Sequence, residues 1–389
     1  MAETGLGMGE SDQDWMAEAL ALARRALGRT APNPAVGAVV VRDGTVVGRG
    51  ATQPVGGPHA EAVALRVAGA AAGGATLYVT LEPCAHHGRT PPCAEAIIAA
   101  GIVRCVVAVG DPFPAVAGAG LDRLRAAGVA VELGLGETEA AVVNAGFFHR
   151  VRTGRPLVIA KYAMTLDGRI ATHTGQSRWV TGAASRLVAH QLRDRADAIM
   201  VGAGTVRADD PRLTTRLPDD LAGEGGPHHP LRIVVDGRGR LPLAARVFAA
   251  ESPGTTVVAT TDLAPPVWLE ALSARGVEWF ATGAGPTVDL SSVLDWLGRR
   301  GVNTLVVEGG ARLHGAFFDA GLVDRVAAFV APILVGGAGA PGPVGGEGVA
   351  TMAAGWRLAA SSLRQIGPDL LVEGDLIRPE RAAGRREVA

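Results

Sequence analysis

Short β-rich runs alternate with helical patterns along most of this 389-residue chain, and that alternation limits the possible folds more than any other feature. Alternating strands and helices predict sheets covered by helices, which is an α/β architecture. A chain of this length also exceeds the usual size of a single hydrophobic core. The polar stretch 151–155 interrupts the series once. We therefore expect two α/β domains, over residues 14–150 and 156–378.

The first domain is predicted to begin with a helix over residues 15–27, with Ser11 and Asp12 as candidate caps. The step Asp43-Gly44 is a strong turn signal between two β-rich runs, so a hairpin is expected after this helix. The expected strands are 35–41, 46–48, 76–80, 104–109 and 130–133, and further helices are expected after His59, after Cys93 and over 121–127.

The second domain carries a similar alternation without repeating the first. Its expected strands are 157–163, 198–201, 231–235, 256–259, 304–307 and 325–330. Its expected helices are 183–195, 267–275, 292–300 and one from Leu313 onward. Two loops rich in Gly and Pro, 218–230 and 336–348, are predicted to be surface excursions, and the charged end from Arg378 a loose tail.

Charge and composition exclude several classes of function. The formal net charge is −1, and no run of Lys and Arg could follow a phosphate backbone, so we expect no nucleic-acid partner. Neither a leader-like apolar segment nor a run of some twenty apolar residues occurs, so we expect a cytoplasmic protein without a membrane partner. Three Cys residues in so long a chain cannot form a disulfide framework.

Four residues of the first half have the types and positions of a metal site. His59 and Glu61 stand at the start of a predicted helix, Cys84 follows a strand, and Cys93 opens a helix. One imidazole and two thiolates fill three tetrahedral positions of Zn²⁺ and leave the fourth for water, as in a catalytic site. Glu61 is the candidate acid/base that moves protons beside the metal. The pattern predicts a zinc-dependent deaminase, although the two cysteines stand nine residues apart rather than the three that are typical of zinc nucleobase deaminases.

Other residues and other functions remain open at this level. Cys105 fits a buried strand residue, and His86 and His87 fit surface positions of the loop between the two cysteines. One alternative is a zinc deaminase of a free nucleoside or nucleotide base with an unrelated C-terminal domain. Another is a non-catalytic scaffold in which zinc staples the loop from Cys84 to Cys93, with a histidine as the fourth ligand.

The second half contains a possible anion site. The run 304–307 reads as a strand, Glu308-Gly309-Gly310 as a tight loop and Leu313 onward as a helix, so backbone amides could face a pyrophosphate. A glycine pair after a strand is more often only a turn, and the spacing of the Rossmann fingerprint is absent. The residues alone indicate an anion site and no more.

Several longer segments resemble one known family. They read PNPAVGAVVV from Pro32, PHAEAVAL from Pro58, TLEPCAHHGRTPPCAEAII from Thr80, DPFPAVAGAG from Asp111, KYAMTLDG from Lys161, VGAGTVRADDPRLTTR from Val201 and VVEGGARLHGAF from Val306. Together they resemble the bifunctional deaminase/reductases of riboflavin biosynthesis over about residues 15–377. The long loop between the cysteines is typical of that family.

The resemblance implies a cytidine-deaminase-like three-layer sandwich followed by a dihydrofolate-reductase-like α/β domain. It further implies two successive reactions on a phosphoribosyl pyrimidine, first zinc-dependent deamination of a diaminopyrimidinone and then NADPH-dependent reduction of its ribosyl group to ribityl. A homo-oligomer is also expected. The chain departs from the family pattern at Thr52, Arg89 and Phe113, where a His, a Lys and an Asn are common, so contacts to the base are expected to differ.

The resemblance also implies the roles of individual residues. Asn33 would line the base pocket. By its chemistry Lys161 is a candidate to polarise or protonate the opening sugar, although a lysine at the end of a strand can equally be structural. The cofactor positions would be Ala163, Trp179, Thr205, Asp209, Gly310, Ala311, Arg312, Leu313, His314, Gly315 and Ala316. The substrate positions of the second domain would be Ser177, Arg193, Leu213, Arg216 and Glu308.

Overall fold

The computed structural model describes residues 10–85, 91–113, 116–223 and 225–377. The chain divides into two compact units: residues 1–156 together with 298–303, and residues 157–297 together with 304–389. His86, His87, Arg89 and the tail from Arg378 lie outside the described residues. Each unit is an α/β structure, so the expected fold class is confirmed.

The first unit is built on a five-stranded sheet with the order β2-β1-β3-β4-β5. Strand β1 is antiparallel to β2 and β3, whereas β3, β4 and β5 are parallel. The strands are β1 (Gly37–Arg42), β2 (Thr45–Ala51), β3 (Thr76–Val79), β4 (Arg104–Val107) and β5 (Ala130–Leu133). The predicted hairpin is confirmed, because Asp43 (φ 50°) and Gly44 (φ 73°) both adopt the left-handed conformation that a type I′ turn requires.

Six helices belong to this unit among the described residues. They are α1 (Glu10–Ala26), α2 (Ala60–Ala68), α3 (Cys93–Ala99), α4 (Ala119–Ala126), α5 (Glu137–Val143) and α6 (Ala145–Thr153). Helices α5 and α6 were not predicted, and α6 continues into the polar stretch that marks the end of the first domain in the sequence. Arginines 150 and 152 give α6 its polar appearance while Phe147 and Phe148 are buried.

The expectation that Ser11 and Asp12 cap the first helix was wrong, because both lie inside α1. The Asp12 carboxylate is buried and accepts two hydrogen bonds from the Arg104 guanidinium, at 3.0 and 2.9 Å, and one from the Tyr78 hydroxyl. The hydrogen bond from Arg104 lowers the pKa of Asp12. Asp12, which was expected to cap the helix, therefore connects α1 to the sheet by hydrogen bonds.

Two glycines let α2 lie unusually close to the β1–β2 hairpin. A Cβ at Gly48 would stand 2.2 Å from the Ala64 carbonyl oxygen, and one at Gly50 would stand 2.1 Å from the Ala60 carbonyl oxygen. Any side chain at either position would push the helix away, because such distances are far below van der Waals contact. The first turn of α2, which carries two of the predicted site residues, is thus fixed against the sheet.

The second unit is built on a nine-stranded sheet with the order β10-β9-β8-β7-β11-β6-β12-β14-β13. Its strands are β6 (Leu157–Thr165), β7 (Ala198–Gly202), β8 (Leu231–Val235), β9 (Thr256–Thr260), β10 (Glu278–Ala281), β11 (Thr304–Val307), β12 (Arg325–Ala331), β13 (Arg357–Ile366) and β14 (Asp369–Ile377). The first seven in the order are parallel, and the last two form an antiparallel hairpin at one edge.

The helices of the second unit follow the predicted alternation. They are α7 (Ala183–Arg195), α8 (Ala203–Asp209), α9 (Pro266–Ser273), α10 (Leu290–Arg299) and α11 (Ala311–Asp319). Helix α8, strand β10 and the β13–β14 hairpin were not predicted. No helix of the described residues is long and apolar enough to cross a membrane.

The glycine-rich loop 336–348 is mostly exposed, as expected. Two carboxylates nevertheless hold its backbone by hydrogen bonds. The Asp167 carboxylate accepts from the amides of Val335 and Gly336, at 3.3 and 2.7 Å. The Asp319 carboxylate accepts from the amides of Glu347 and Gly348, at 2.8 and 3.1 Å. The loop is therefore a defined surface of this unit.

Candidate metal centre and reductase cleft

Three of the predicted ligands converge at the end of β3. His59 is the N-cap of α2, Cys84 lies in the loop after β3, and Cys93 is the first residue of α3. Their ligand atoms lie within 4.8 Å of one another, and no other group of His, Cys, Asp or Glu in the described part of the chain meets that criterion. His59 Nδ1 is 3.7 Å from Cys84 Sγ and 3.3 Å from Cys93 Sγ.

This donor set fits zinc. With Zn–S near 2.3 Å and Zn–N near 2.0–2.1 Å, the sulfur–nitrogen edge of a tetrahedron is about 3.6 Å, close to the two observed distances. The amide of Cys93 also donates to Cys84 Sγ at 3.3 Å, which favours the thiolate form of Cys84. Hydrogen bonds from Cys93 and His59 lower the pKa of Cys84, because they stabilise its charged form.

Glu61 lies in the first turn of α2, next to these ligands, and only 4 % of it is exposed. His59 at the N-cap has an extended backbone conformation (φ −71°, ψ 162°). Its side chain therefore leaves the chain before the helix begins. His59 and Glu61 can thus face the same site, although residues two apart within a helix point to nearly opposite sides. Burial raises the pKa of Glu61 to about 7, which suits a group that both accepts and donates protons near neutral pH.

The metal-binding residues open into a cavity of about 760 Å³. Its walls include His59, Glu61, Cys84 and the predicted base-pocket residue Asn33. A cavity of this size suits a nucleotide-sized ligand. The buried Asn144 fixes the chain beside Asn33, since its side-chain oxygen accepts from the Ala35 amide at 2.9 Å and its side-chain nitrogen donates to the Ala35 carbonyl at 3.0 Å.

Two of the residues that depart from the family pattern also line this cavity. Thr52 is buried, and its hydroxyl accepts from the Val36 amide at 3.1 Å. Phe113 is 42 % exposed and lines the cavity. Apolar contact and stacking are therefore available to a base where the family pattern supplies polar groups.

Glu82 is a residue of this site that the sequence did not single out. Its buried carboxylate accepts from three backbone amides, those of Asp111 (3.2 Å), Gly118 (3.1 Å) and Gly120 (3.0 Å). Gly120 permits the approach, because a Cβ there would stand 1.9 Å from the Pro83 carbonyl oxygen. Glu82 thus joins the Cys84 loop to the cavity wall at Asp111. The acid immediately before Pro83-Cys84 was the available signal, but an acceptor of backbone amides has no characteristic spacing.

A second cluster lies in the other unit, where the carboxyl end of β11 meets the middle of β6. The pairing of Val307 with Ala160 puts Lys161 and Glu308 side by side. Arg193 of α7 donates to both carboxylate oxygens of Glu308 at 2.7 Å, and Lys161 Nζ lies 3.7 Å from one of them. Although burial opposes ionisation, the charges of Arg193 and Lys161 hold the pKa of Glu308 well below its usual range. Burial lowers the pKa of Lys161.

The predicted cofactor positions surround the loops after β7 and β11. Thr205 of α8 accepts from the Gly310 amide at 3.0 Å, so the two glycine-containing turns meet. The N-termini of α8 and α11 begin at these turns, and their amides suit an anionic pyrophosphate. Trp179 is 68 % exposed, with the Arg186 guanidinium 4.4 Å from its ring centre. These features fit a dinucleotide such as NADPH.

Not every predicted position in this cleft presents a side chain. Leu313, His314 and Gly315 are buried, and Leu213 is only 3 % exposed. A ligand can reach little of the surface of these four residues. Ala163, Arg312 and Ala316 are partly or fully exposed.

The remaining predicted positions lie on the loops around the cleft. The Ser177 hydroxyl donates to the Asp209 carboxylate at 3.1 Å, so a predicted substrate position and a predicted cofactor position touch. Arg216 is exposed, and its guanidinium donates to the Thr214 hydroxyl at 3.3 Å.

Each half of the chain matches a known protein family. The model of the RibD C-terminal domain matches residues 156–372, and that of the cytidine and deoxycytidylate deaminase zinc-binding region matches residues 9–109. The riboflavin biosynthesis protein RibD of Bacillus amyloliquefaciens is 43% identical over 370 residues, which cover 92% of this chain and 95% of that protein. RibD of Escherichia coli (strain K12) is 41% identical over 365 residues, which cover 92% and 98%.

Solved structures are similar over almost the whole chain. Acinetobacter baumannii RibD, form 1, has a TM-score of 0.84 at 39% identity and covers 95% of this chain and 99% of its own. A diaminohydroxyphosphoribosylaminopyrimidine deaminase/5-amino-6-(5-phosphoribosylamino)uracil reductase from Thermotoga maritima has a TM-score of 0.79 at 35% identity, with the same coverage. The expected pair of folds, cytidine-deaminase-like and reductase-like, is confirmed.

Removal of one thiolate is expected to release the metal. Cys84→Ala leaves only two of the three converging ligands, so zinc content measured by plasma mass spectrometry should fall at least about tenfold, the scale on which even outer-shell changes weaken metal sites. Cys105→Ala is the matched control, since Cys105 is fully buried in β4 and belongs to no ligand cluster. Equal zinc content in the two variants would contradict the site.

Proposed function

Because this chain belongs to the RibD family of riboflavin-biosynthesis enzymes, we propose that its two sites act in turn on one phosphoribosyl pyrimidine. The enzyme is bifunctional, with a zinc-dependent deaminase domain fused to an NADPH-dependent reductase domain. The match of the second half to a reductase domain disfavours both a nucleoside deaminase with an unrelated partner domain and a zinc-stapled scaffold. The convergence of His59, Cys84 and Cys93 beside the buried Glu61 is the observation that carries the first activity.

In the deaminase site the substrate is 2,5-diamino-6-(5-phosphoribosylamino)pyrimidin-4-one. Zinc held by the three ligands supplies the Lewis acidity that makes water nucleophilic at neutral pH. Glu61 takes a proton from the attacking water and passes it to the departing amine, so that water is consumed and ammonia is released. Asn33 donates and accepts hydrogen bonds at the base, while Phe113 packs against its face. The low exposure of Glu61 keeps bulk water from competing for its proton.

Replacement of the acid/base is expected to stop deamination without removing the metal. Glu61→Gln keeps the shape of the side chain but cannot shuttle a proton, so ammonia release should fall about 10²–10⁴-fold. Zinc content, and NADPH oxidation with the deaminated substrate, should stay at wild-type values because both depend on other residues. Undiminished ammonia release would remove Glu61 from the mechanism.

In the reductase site the substrate is the deaminated product. When bound, NADPH supplies the two electrons and the hydrogen that convert the ribosyl group to ribityl. Lys161 protonates the sugar oxygen released as the ring opens, and Glu308, held ionised by Arg193, keeps the ammonium in place. Phe329 closes the other side of Lys161, with its ring centre 5.6 Å from Nζ.

The other predicted residues of the cleft are assigned by position. Arg216 meets the substrate phosphate, for which a guanidinium fork is suited, and Ser177 and the backbone at Leu213 flank the sugar. The cofactor contacts are Ala163, Trp179, Thr205, Asp209 and the segment from Gly310 to Ala316. The domains extend over residues 14–150 and 156–378.

Removal of the Lys161 ammonium group is expected to lower the reductase activity and leave the deaminase activity unchanged. Lys161→Met retains the length and the apolar stem of the side chain but has no proton to give, so NADPH oxidation should fall about 10²-fold or more. Deamination serves as the internal control and should be unchanged. If Lys161→Met oxidises NADPH at the wild-type rate with saturating substrate, the proton donor is another group.

We further propose a homo-oligomer that works in the cytoplasm without nucleic-acid or membrane partners. Two metal-binding thiolates suit a reducing compartment, and the near-zero net charge gives no electrostatic attraction to nucleic acid. The ten-residue strand β13 lies at the edge of the nine-stranded sheet, and most of its residues are exposed, including Leu363 at 66 %. A long exposed edge strand is a template for pairing with another copy.

A charge on that edge is expected to dissociate the oligomer. Leu363→Glu places a carboxylate where the partner strand would pack, so sedimentation should shift toward the monomer. Val267→Glu on α9 is the control, because Val267 is also strongly exposed, at 72 %, but lies away from this edge. Identical sedimentation of Leu363→Glu and the unaltered chain would reject β13 as the interface.

A further inference from the structure

Three side chains hold the backbone of residues 214–216, which carries Arg216. Arg193 Nη1 donates to the Thr214 carbonyl at 3.2 Å. The Arg216 amide donates to His190 Nδ1 at 3.3 Å, and the Thr215 amide donates to His229 Nδ1, also at 3.3 Å. Two imidazoles and one guanidinium therefore fix two successive peptide groups, the one between Thr214 and Thr215 and the one between Thr215 and Arg216.

The hydrogen bond at Arg216 requires a particular form of His190. A ring nitrogen that accepts an N–H carries no proton, so His190 must be neutral and protonated at Nε2. Burial, followed by the charges of Arg193 and Arg216, lowers the pKa of His190 to about 4. The charge of Lys161 acts in the same direction, and that of Glu308 opposes it. The imidazole is therefore an acceptor at physiological pH.

The position of His190 links this contact to the rest of the cleft. His190 and Arg193 are three residues apart on α7, so they lie on one side of the helix. Arg193 is itself anchored by two hydrogen bonds to Glu308. The same helix face thus binds Glu308 and the backbone of Arg216.

We infer that His190 is a positioning residue that holds Arg216 in place for the phosphate of the substrate. The inference rests on the proposed function, in which Arg216 meets that phosphate. His190 binds the backbone amide of Arg216, whereas the guanidinium donates to the Thr214 hydroxyl. A neutral imidazole also adds no further cation to the cluster formed by Lys161, Arg193 and Arg216.

Two isosteric variants test the inference through the position of the acceptor. The Oδ1 of Asn occupies nearly the place of Nδ1, whereas the oxygen of Gln reaches the place of Nε2. His190→Asn should therefore keep the KM of the phosphorylated substrate within about twofold, whereas His190→Gln should raise it about fivefold, which corresponds to the loss of one hydrogen bond of about 1 kcal/mol. The kcat of NADPH oxidation should change little in either variant.

The dephosphorylated substrate supplies the decisive comparison. It has no group for Arg216, so its kcat/KM should be the same in the unaltered enzyme, His190→Asn and His190→Gln. An unchanged kcat of NADPH oxidation by the same samples shows that the second unit is folded. If His190→Gln weakens both substrates equally, or leaves the phosphorylated one unaffected, the inference is overturned.

Arg216→Gln distinguishes failure of the inference from failure of the proposed function. A raised KM for the phosphorylated substrate alone is the expected result. If Arg216→Gln has this effect and His190→Gln does not, only the positioning role is overturned. If Arg216→Gln leaves the KM unchanged, Arg216 does not bind the substrate phosphate. The proposed contact and the positioning role of His190 are then both overturned.

Discussion

Parallel pairing of neighbouring strands determines where chemistry can occur in each unit. In the first unit β3 and β4 are parallel, so the loops after them, with Cys84 and Asp111, emerge at the same edge. In the second unit β6, β7 and β11 are parallel, so Lys161, Thr205 and Glu308 gather at one end of the sheet. Without that common direction, residues so distant in sequence would not meet.

Buried carboxylates then give each site its geometry. Glu82 accepts three backbone amides and joins the Cys84 loop to the cavity wall. Glu308 accepts both arms of Arg193 and lies beside Lys161. Each is costly to bury alone, and each is matched by donors from separate segments, so that the charge is stable only in the folded arrangement. Both carboxylates therefore couple the fold to the shape of a site.

The sequence predicts the parts of this arrangement that depend on residue type. His59, Cys84 and Cys93 are recognisable because few side chains bind zinc and each stands at the end of an element. The Asp43-Gly44 turn is recognisable because few residues adopt its left-handed conformation. Strand β13 escaped prediction because most of it is exposed and it lacks the alternation of a half-buried strand. Glu82 and His190 escaped because they bind backbone amides, for which no residue spacing is characteristic.

Mass spectrometry of the diaminopyrimidinone incubated with the enzyme reports both reactions in one sample. Without NADPH we expect the exocyclic amine to be replaced by oxygen and no hydrogen to be gained. With NADPH the same product should gain two hydrogens. A substrate that remains unchanged, or that loses its amine but never gains hydrogen in the presence of NADPH, would show that one chain does not carry both activities.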